Sequence, residues 1–242
     1  MKKDVLGIKI NDINMDQALK IVEVWLNGQG KHIIVTPNPE IVVIAQKDED
    51  LKKIINRADL AIPDGRGLRL TGDIVCNTPG IELMERLVEM ASKKGFTTGF
   101  LGGRDRVAER VEECLKSHYP KLTVRYALEG PVIPAKAGIY TNKDLWIPDQ
   151  VRNDKVDILF VAFGPPKQEK WIAKNIDRIN VKVAMVVGGA FDILSGTIPR
   201  APKWMRNLGL EWLFRLIIQP WRIKRQLALI EYLWLILTQK KL

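Results

Sequence analysis

Short runs of β-branched and aliphatic residues alternate with longer helical patterns, and each run breaks off into Gly, Pro, Asn or Asp. This alternation constrains the fold more than any other feature. Strands separated by helical crossovers pair in parallel, so the pattern predicts an α/β domain. Strands are expected at 5–10, 32–36, 60–62, 97–101, 122–127, 156–163 and 182–187. Helices are expected at 15–26, from the prolines after residue 36 to about 55, and at 82–94 and 105–117. The fold class is Rossmann-like, a largely parallel sheet flanked by helices. Such sheets bind ligands beyond the carboxyl ends of their strands.

Four strand ends carry chemistry-bearing residues: Thr36-Pro37-Asn38-Pro39, Pro63-Asp64-Gly65-Arg66-Gly67, Phe163 to Glu169, and Gly188-Gly189-Ala190-Phe191-Asp192. Leu101-Gly102-Gly103-Arg104 is a weaker fifth. Glycine lets backbone N–H groups approach a phosphate, and a following helix N-terminus favours negative charge. A single such turn needs no ligand to explain it. Several on one sheet edge point to a phosphate-bearing ligand. None spells a P-loop or a dinucleotide fingerprint. Asp64, with glycines clearing space around it, is placed to accept a proton from a hydroxyl or to cap a helix. Thr36 and Asn38 are placed to bond sugar hydroxyls or to shape the proline turn.

Metal chemistry has little support. Asp48-Glu49-Asp50 has the Asp-x-Asp spelling of metal-dependent sugar transferases, but it falls in an acidic helical stretch and reads as solvated surface. The cysteines (Cys76, Cys114) and histidines (His32, His118) are too few and too dispersed for a disulfide framework or a zinc set. No metal and no cofactor are expected.

The formal net charge of +10 is concentrated at one end. Residues 196–242 hold nine Lys and Arg against two acids, a net +7, with four of the seven Trp. Helical patterns at 204–219 and 222–238 are separated by Pro220. We read 1–195 as the α/β core and 196–242 as a basic, Trp-rich helical appendage. Trp and Leu interleaved with Arg suit an anionic membrane surface better than bulk water. No stretch reaches the ~20 apolar residues of a membrane span, and no secretory leader is evident. A cytoplasmic protein, peripheral at the inner face of the membrane, is therefore expected. Residues 131–155, with three prolines and no periodicity, read as an insertion without a catalytic role.

In this order the motifs resemble the WecG/TagA/CpsF family of bacterial glycosyltransferases. The likeness runs from the first strand to about Trp204. It is most specific in Gly164 to Trp171, in Gly188–Asp192 with Gly196, and in Arg200-Ala201-Pro202-Lys203-Trp204. Residues 131–155 and 71–78 depart from the family pattern, so no function is carried to Asp73 or Cys76. The resemblance implies a metal-independent inverting transferase. It would move N-acetylmannosamine from UDP to N-acetylglucosamine on undecaprenyl diphosphate, for teichoic acid. Asp64 then matches the base, and Thr36, on the acceptor side, is expected to be catalytic with it. Asn38 matches the acceptor side. Gly102, Gly103, Arg104, Gly164, Lys167, Gln168, Glu169, Gly188, Gly189, Phe191 and Asp192 are the expected substrate-binding set. The tail is expected to bind the membrane, with Arg215, Arg222 or Arg225 reaching the lipid diphosphate. A second copy of the chain is a candidate partner; nucleic acid is not.

Three alternatives remain at this level. Another UDP-sugar donor would serve a different surface polysaccharide. A nucleotide-cofactor enzyme such as a dehydrogenase would need the missing fingerprint. A non-enzymatic nucleic-acid-binding protein would use the basic end, although its helices are rich in Leu, Ile and Trp for a solvated reading surface.

Overall fold

The computed structural model describes residues 2–130 and 147–239. Strand β1 (Lys2–Val5) and strand β2 (Ile8–Asn11) form an antiparallel hairpin. The single strand expected over 5–10 is thus two strands. Leu6 and Gly7 between them have φ of 55° and 79°, the geometry of a tight hairpin turn. Helix α1 (Met15–Asn27) starts at a reciprocal cap: Asn14 Oδ1 accepts from the Gln17 amide and Gln17 Oε1 from the Asn14 amide, both at 3.0 Å.

Strand β3 (His32–Val35) leads to α2 (Pro39–Lys47) and α3 (Glu49–Arg57). One helix was expected there. Asp48 breaks it, because its side chain accepts from the Leu51 amide at 3.0 Å and starts α3. Asp48 also pairs with Lys170 at 2.6 Å, while Glu49 and Asp50 are exposed. The Asp-x-Asp spelling is therefore a helix start. Strand β4 (Leu60–Ala61), α4 (Gly80–Lys94), β5 (Thr97–Gly102), α5 (Val107–His118) and β6 (Thr123–Leu128) follow. After the stretch outside the described residues come α6 (Asp149–Asn153), β7 (Val156–Ala162), α7 (Lys167–Asn175), β8 (Val181–Val186) and α8 (Ala190–Leu194). The insertion expected at 131–155 falls largely outside the described residues. Its last part is the short helix α6.

Six strands form one parallel sheet in the order β4-β3-β8-β7-β5-β6. Successive residues of β7 and β8 serve opposite faces. Leu159, Val161, Ala184 and Val186 join one apolar layer, and Ile158, Phe160, Val183 and Met185 the other. Both faces are covered, which is why these strands are almost wholly apolar. One layer includes residues of α2, α3, α7 and the hairpin; the other includes residues of α1, α4, α5 and α8.

The expected tail helix over 204–219 is two helices, α9 (Lys203–Leu208) and α10 (Glu211–Ile218). Gly209, at φ 77°, ends α9, and the Leu210 amide closes back on the Met205 carbonyl at 2.8 Å. A single 3-10 turn, Pro220–Arg222, leads into α11 (Ile223–Gln239). Helix α11 packs on α2. Tyr232 is fully buried and Ile236 nearly so, in the same apolar layer as Ile41, Val42 and Ala45. Arg225 makes a two-point ion pair with Glu40 (2.5 and 2.8 Å), and Lys47 meets Glu231 at 2.7 Å. The tail thus contributes to the core and also leaves Trp204, Ile217, Trp221, Leu227, Ile230, Trp234 and Leu237 exposed. Among the described residues, no helix is long and apolar enough to cross a membrane.

Candidate active site

The strand order turns consecutive connections apart. From β3 the chain moves to β4 on one side, then crosses to β5 and β6 on the other. A crevice opens beyond the carboxyl ends of such a sheet. It is a cleft of about 980 Å³, roofed by α9, α10 and the start of α11.

One wall joins the loops after β3 and β4. The Ile62 amide donates to the Val35 carbonyl at 2.9 Å, and the Asp64 amide to the Pro37 carbonyl at 3.0 Å. Thr36, Asn38 and Asp64 are thereby held on one wall, and all three line the cleft. Asp64 Oδ1 accepts from the Gly80 amide, the first of α4, at 3.0 Å. Asp64 is therefore both a helix cap and a cleft carboxylate. Burial lifts its pKa to about 6. The Gly80 hydrogen bond and the Arg215 charge oppose the lift, while Glu211 and Glu82 add to it. Thr36 is buried behind Gly80. Asn38 Oδ1 accepts from the Ile41 amide at 3.0 Å, so the side chain caps α2 while bordering the cleft.

The opposite wall comes from β7 and β8. Gly164, Gln168, Gly188, Gly189 and Asp192 line it. Gln168 is buried, with Oε1 accepting from the Gly164 amide at 3.2 Å and Nε2 donating to Glu169 at 3.0 Å. Glu169 lies behind Gln168, outside the lining, and burial lifts its carboxyl to about 6. Burial also raises Asp192, against the pull of Arg215 and Arg222.

Other residues of the expected substrate-binding set are placed differently. Gly102 is buried in β5 and lines neither the cleft nor the smaller cavity beside it. A Cβ there would stand 2.5 Å from the Ala162 carbonyl oxygen, so glycine serves close strand packing. Phe191 borders the cleft, but its ring is buried edge-on to Phe100 with centroids 6.0 Å apart. Arg104 and Lys167 lie in a smaller cavity of about 310 Å³, which shares Gly103, Ala162, Phe163 and Asp192 with the main cleft.

The tail arginines Arg215, Arg222 and Arg225 all line the cleft. Arg225 is taken by Glu40. Arg222 donates to Gln219 at 2.8 Å, and burial beside Arg215 and Arg225 brings its pKa down to about 10. Arg215 is desolvated, which lowers its pKa against the pull of Asp192 and Glu211. Its Nε and Nη2 are buried without a hydrogen-bond partner among the described residues. Buried unpartnered donors on a cation are costly, and an anionic ligand satisfies them.

Several cleft residues escaped the sequence. Glu40, Arg66, Asn77, Glu82, Arg206 and Glu211 line it. Glu82 pairs with Arg200 at 2.8 Å and Arg206 at 3.2 Å, tying α9 to the start of α4. No local pattern pairs residues more than a hundred positions apart. Glu40 was more accessible, two residues after Asn38. Among the described residues, no group of three or more His, Cys, Asp or Glu could hold a metal.

The WecG/TagA/CpsF glycosyl transferase family model matches residues 3–242. A Bacillus subtilis (strain 168) protein is 32% identical over 214 residues, 86% of this chain and 80% of its own length. A Staphylococcus aureus (strain MRSA252) protein is 29% identical over 247 aligned positions, 99% of this chain and 94% of its own. Both relatives are named N-acetylglucosaminyldiphosphoundecaprenol N-acetyl-beta-D-mannosaminyltransferase. With the specific motifs gathered around one cleft and the match running nearly end to end, this chain belongs to the WecG/TagA/CpsF family of glycosyltransferases.

Proposed function

We propose that this chain moves N-acetylmannosamine from its UDP conjugate to N-acetylglucosaminyl-diphospho-undecaprenol, a step of teichoic-acid synthesis. The relatives' names supply the sugar and the acceptor. One observation carries the reading: a cleft carboxylate, Asp64, shares its cavity with a buried guanidinium, Arg215, whose Nε and Nη2 have no partner among the described residues.

The reaction is a single displacement. The acceptor hydroxyl oxygen forms a bond to the anomeric carbon as the bond to the UDP oxygen breaks, and UDP leaves with the electron pair. The hydroxyl proton passes to Asp64. Displacement from the face opposite the leaving group converts an α-linked donor into a β-linked product, which agrees with the relatives' names. A base with a pKa near 6 is ionised at neutral pH and is a stronger proton acceptor than an ordinary carboxylate. Gln168, Gly188, Gly189 and Asp192 form the donor wall. Thr36 and Asn38 stand on the acceptor wall with Asp64.

Arg215 and Arg222, expected at the lipid diphosphate, can also offer charge to the leaving UDP diphosphate without a metal, while Arg225 is paired with Glu40. Their place in the cleft also speaks against a nucleic-acid stripe, which needs its cations on an open face. We assign the exposed tail residues Trp204, Trp221, Trp234 and Leu237 to the membrane surface at the cytoplasmic face. Basic residues near an anionic bilayer add about 1 kcal/mol each.

The test is a donor panel with a soluble N-acetylglucosaminyl-diphospho-lipid acceptor. UDP-N-acetylmannosamine should yield the β-linked disaccharide and free UDP. Product only from a different UDP-sugar would reassign the donor. Product from none of the panel would overturn the reading.

A further inference from the structure

Asn77 occupies the connection between the 3-10 turn Arg66–Thr71 and α4, a stretch without a recognisable motif. It lines the cleft, and its Oδ1 is buried without a hydrogen-bond partner among the described residues. The neighbouring backbone is fixed on both sides. The Val75 and Cys76 amides donate to Asp12 Oδ1 at 3.1 and 2.8 Å. The Thr78 amide donates to the Pro63 carbonyl at 3.0 Å, and its hydroxyl to the Ile13 carbonyl at 2.9 Å. Thr78 is fully buried. The backbone on either side of Asn77 is thus fixed, while its Oδ1 is satisfied by none of these neighbours.

Such a group carries a desolvation cost that an apolar residue of the same shape would avoid. A ligand bearing a polar hydrogen removes that cost. The wall on which Asn77 sits identifies the ligand. Pro63, which receives the Thr78 amide, precedes Asp64, and Gly80, which donates to Asp64, is three residues after Asn77. The backbone on the C-terminal side of Asn77 is therefore tied to the segment that carries the base. We infer that Asn77 binds the acceptor sugar, its carboxamide oxygen accepting a hydrogen bond from that sugar's acetamido N–H or a hydroxyl.

This inference rests on the glycosyl-transfer reading above, and binding measurements separate the two. The probes are UDP and a soluble N-acetylglucosaminyl-diphospho-lipid analogue, titrated against wild type, Asn77→Ala and the near-isosteric Asn77→Leu. Both variants should bind the acceptor analogue about 10- to 100-fold more weakly and bind UDP as wild type does. In turnover, the acceptor KM should rise while the donor KM holds. Asn77→Leu should melt at or above the wild-type temperature, because it removes a buried unpaired acceptor; a structural role for Asn77 would lower it. Equal acceptor affinity in wild type and variants, or a loss confined to UDP, overturns the role of Asn77 and leaves the transfer reading standing. Absence of acceptor binding even in wild type overturns both.

Discussion

The guanidinium of Arg215 fills the space where a side chain at Gly189 would begin: its Nη2 lies 2.8 Å from the position of a Cβ on that glycine. An arginine from the C-terminal helices is thereby seated on the turn that ends β8. Gly189 itself has an ordinary negative φ of −82°, so alanine fits its backbone. The Gly189→Ala variant should fold and displace only the tip of Arg215. Turnover should fall about 10- to 100-fold, the worth of one or two charge-assisted hydrogen bonds, with the melting temperature within a few degrees of wild type. Steady-state kinetics beside a thermal melt checks this. Unchanged turnover would remove Arg215 from the transition state.

Burial raises both Asp64 and Glu169 to about 6, from 3.8 and 4.5 in the unfolded chain. An acid whose pKa rises on folding takes up protons on folding between the two values. Its contribution to stability is best below the unfolded pKa, declines as pH rises towards 6, and stays unfavourable above. Glu169→Gln keeps an oxygen for Gln168 and removes the buried charge. It should therefore stabilise the protein at pH 8 by about 1–2 kcal/mol, or a few degrees in Tm, with the gain shrinking towards pH 4. Melts at pH 4.5, 6 and 8 test this; a gain that grows on acidification would contradict it.

The leaving diphosphate has cations waiting in Arg215 and Arg222, so the transfer should not depend on a divalent ion. Turnover should survive excess EDTA within about twofold. Complete loss in EDTA, restored by Mg²⁺ or Mn²⁺, would place the leaving-group chemistry on a metal instead.

Trp221 and Trp234 are 71% and 63% exposed. If they enter the bilayer interface, the double change Trp221→Ala, Trp234→Ala should weaken binding to anionic liposomes roughly tenfold or more. Liposome co-sedimentation reports it. Undiminished binding would move the membrane contact elsewhere.

The parallel sheet was legible because doubly covered strands must be apolar along their length, as Ile158 to Val161 and Val183 to Val186 are. The placement of Asp64, Gln168 and Asp192 at strand ends facing one cleft was legible because strand-to-helix turns are short and rich in glycine. The breaks at Leu6-Gly7, Asp48 and Gly209 were missed. In each, one or two residues stop an apolar pattern that continues on either side, so periodicity alone sees a single element. That Arg225 is held by Glu40 was also hidden. It was expected at a lipid diphosphate, and its bond to Glu40 joins residues 185 positions apart. Long-range ion pairs leave no local mark on the chain.

The pH dependence of kcat/KM in wild type and Asp64→Asn tests the central claim most directly. Asparagine preserves an oxygen for the Gly80 amide and removes the base. Wild type should show an acid limb with an apparent pKa near 6. The variant should lose about 10²–10⁴ in turnover and lose that limb, while still folding and binding UDP. Glu169 titrates in the same range, and only the variant tells the two carboxyls apart. Near-normal turnover in Asp64→Asn, or an acid limb near pH 6 that persists in it, would contradict the assignment of Asp64 as the base.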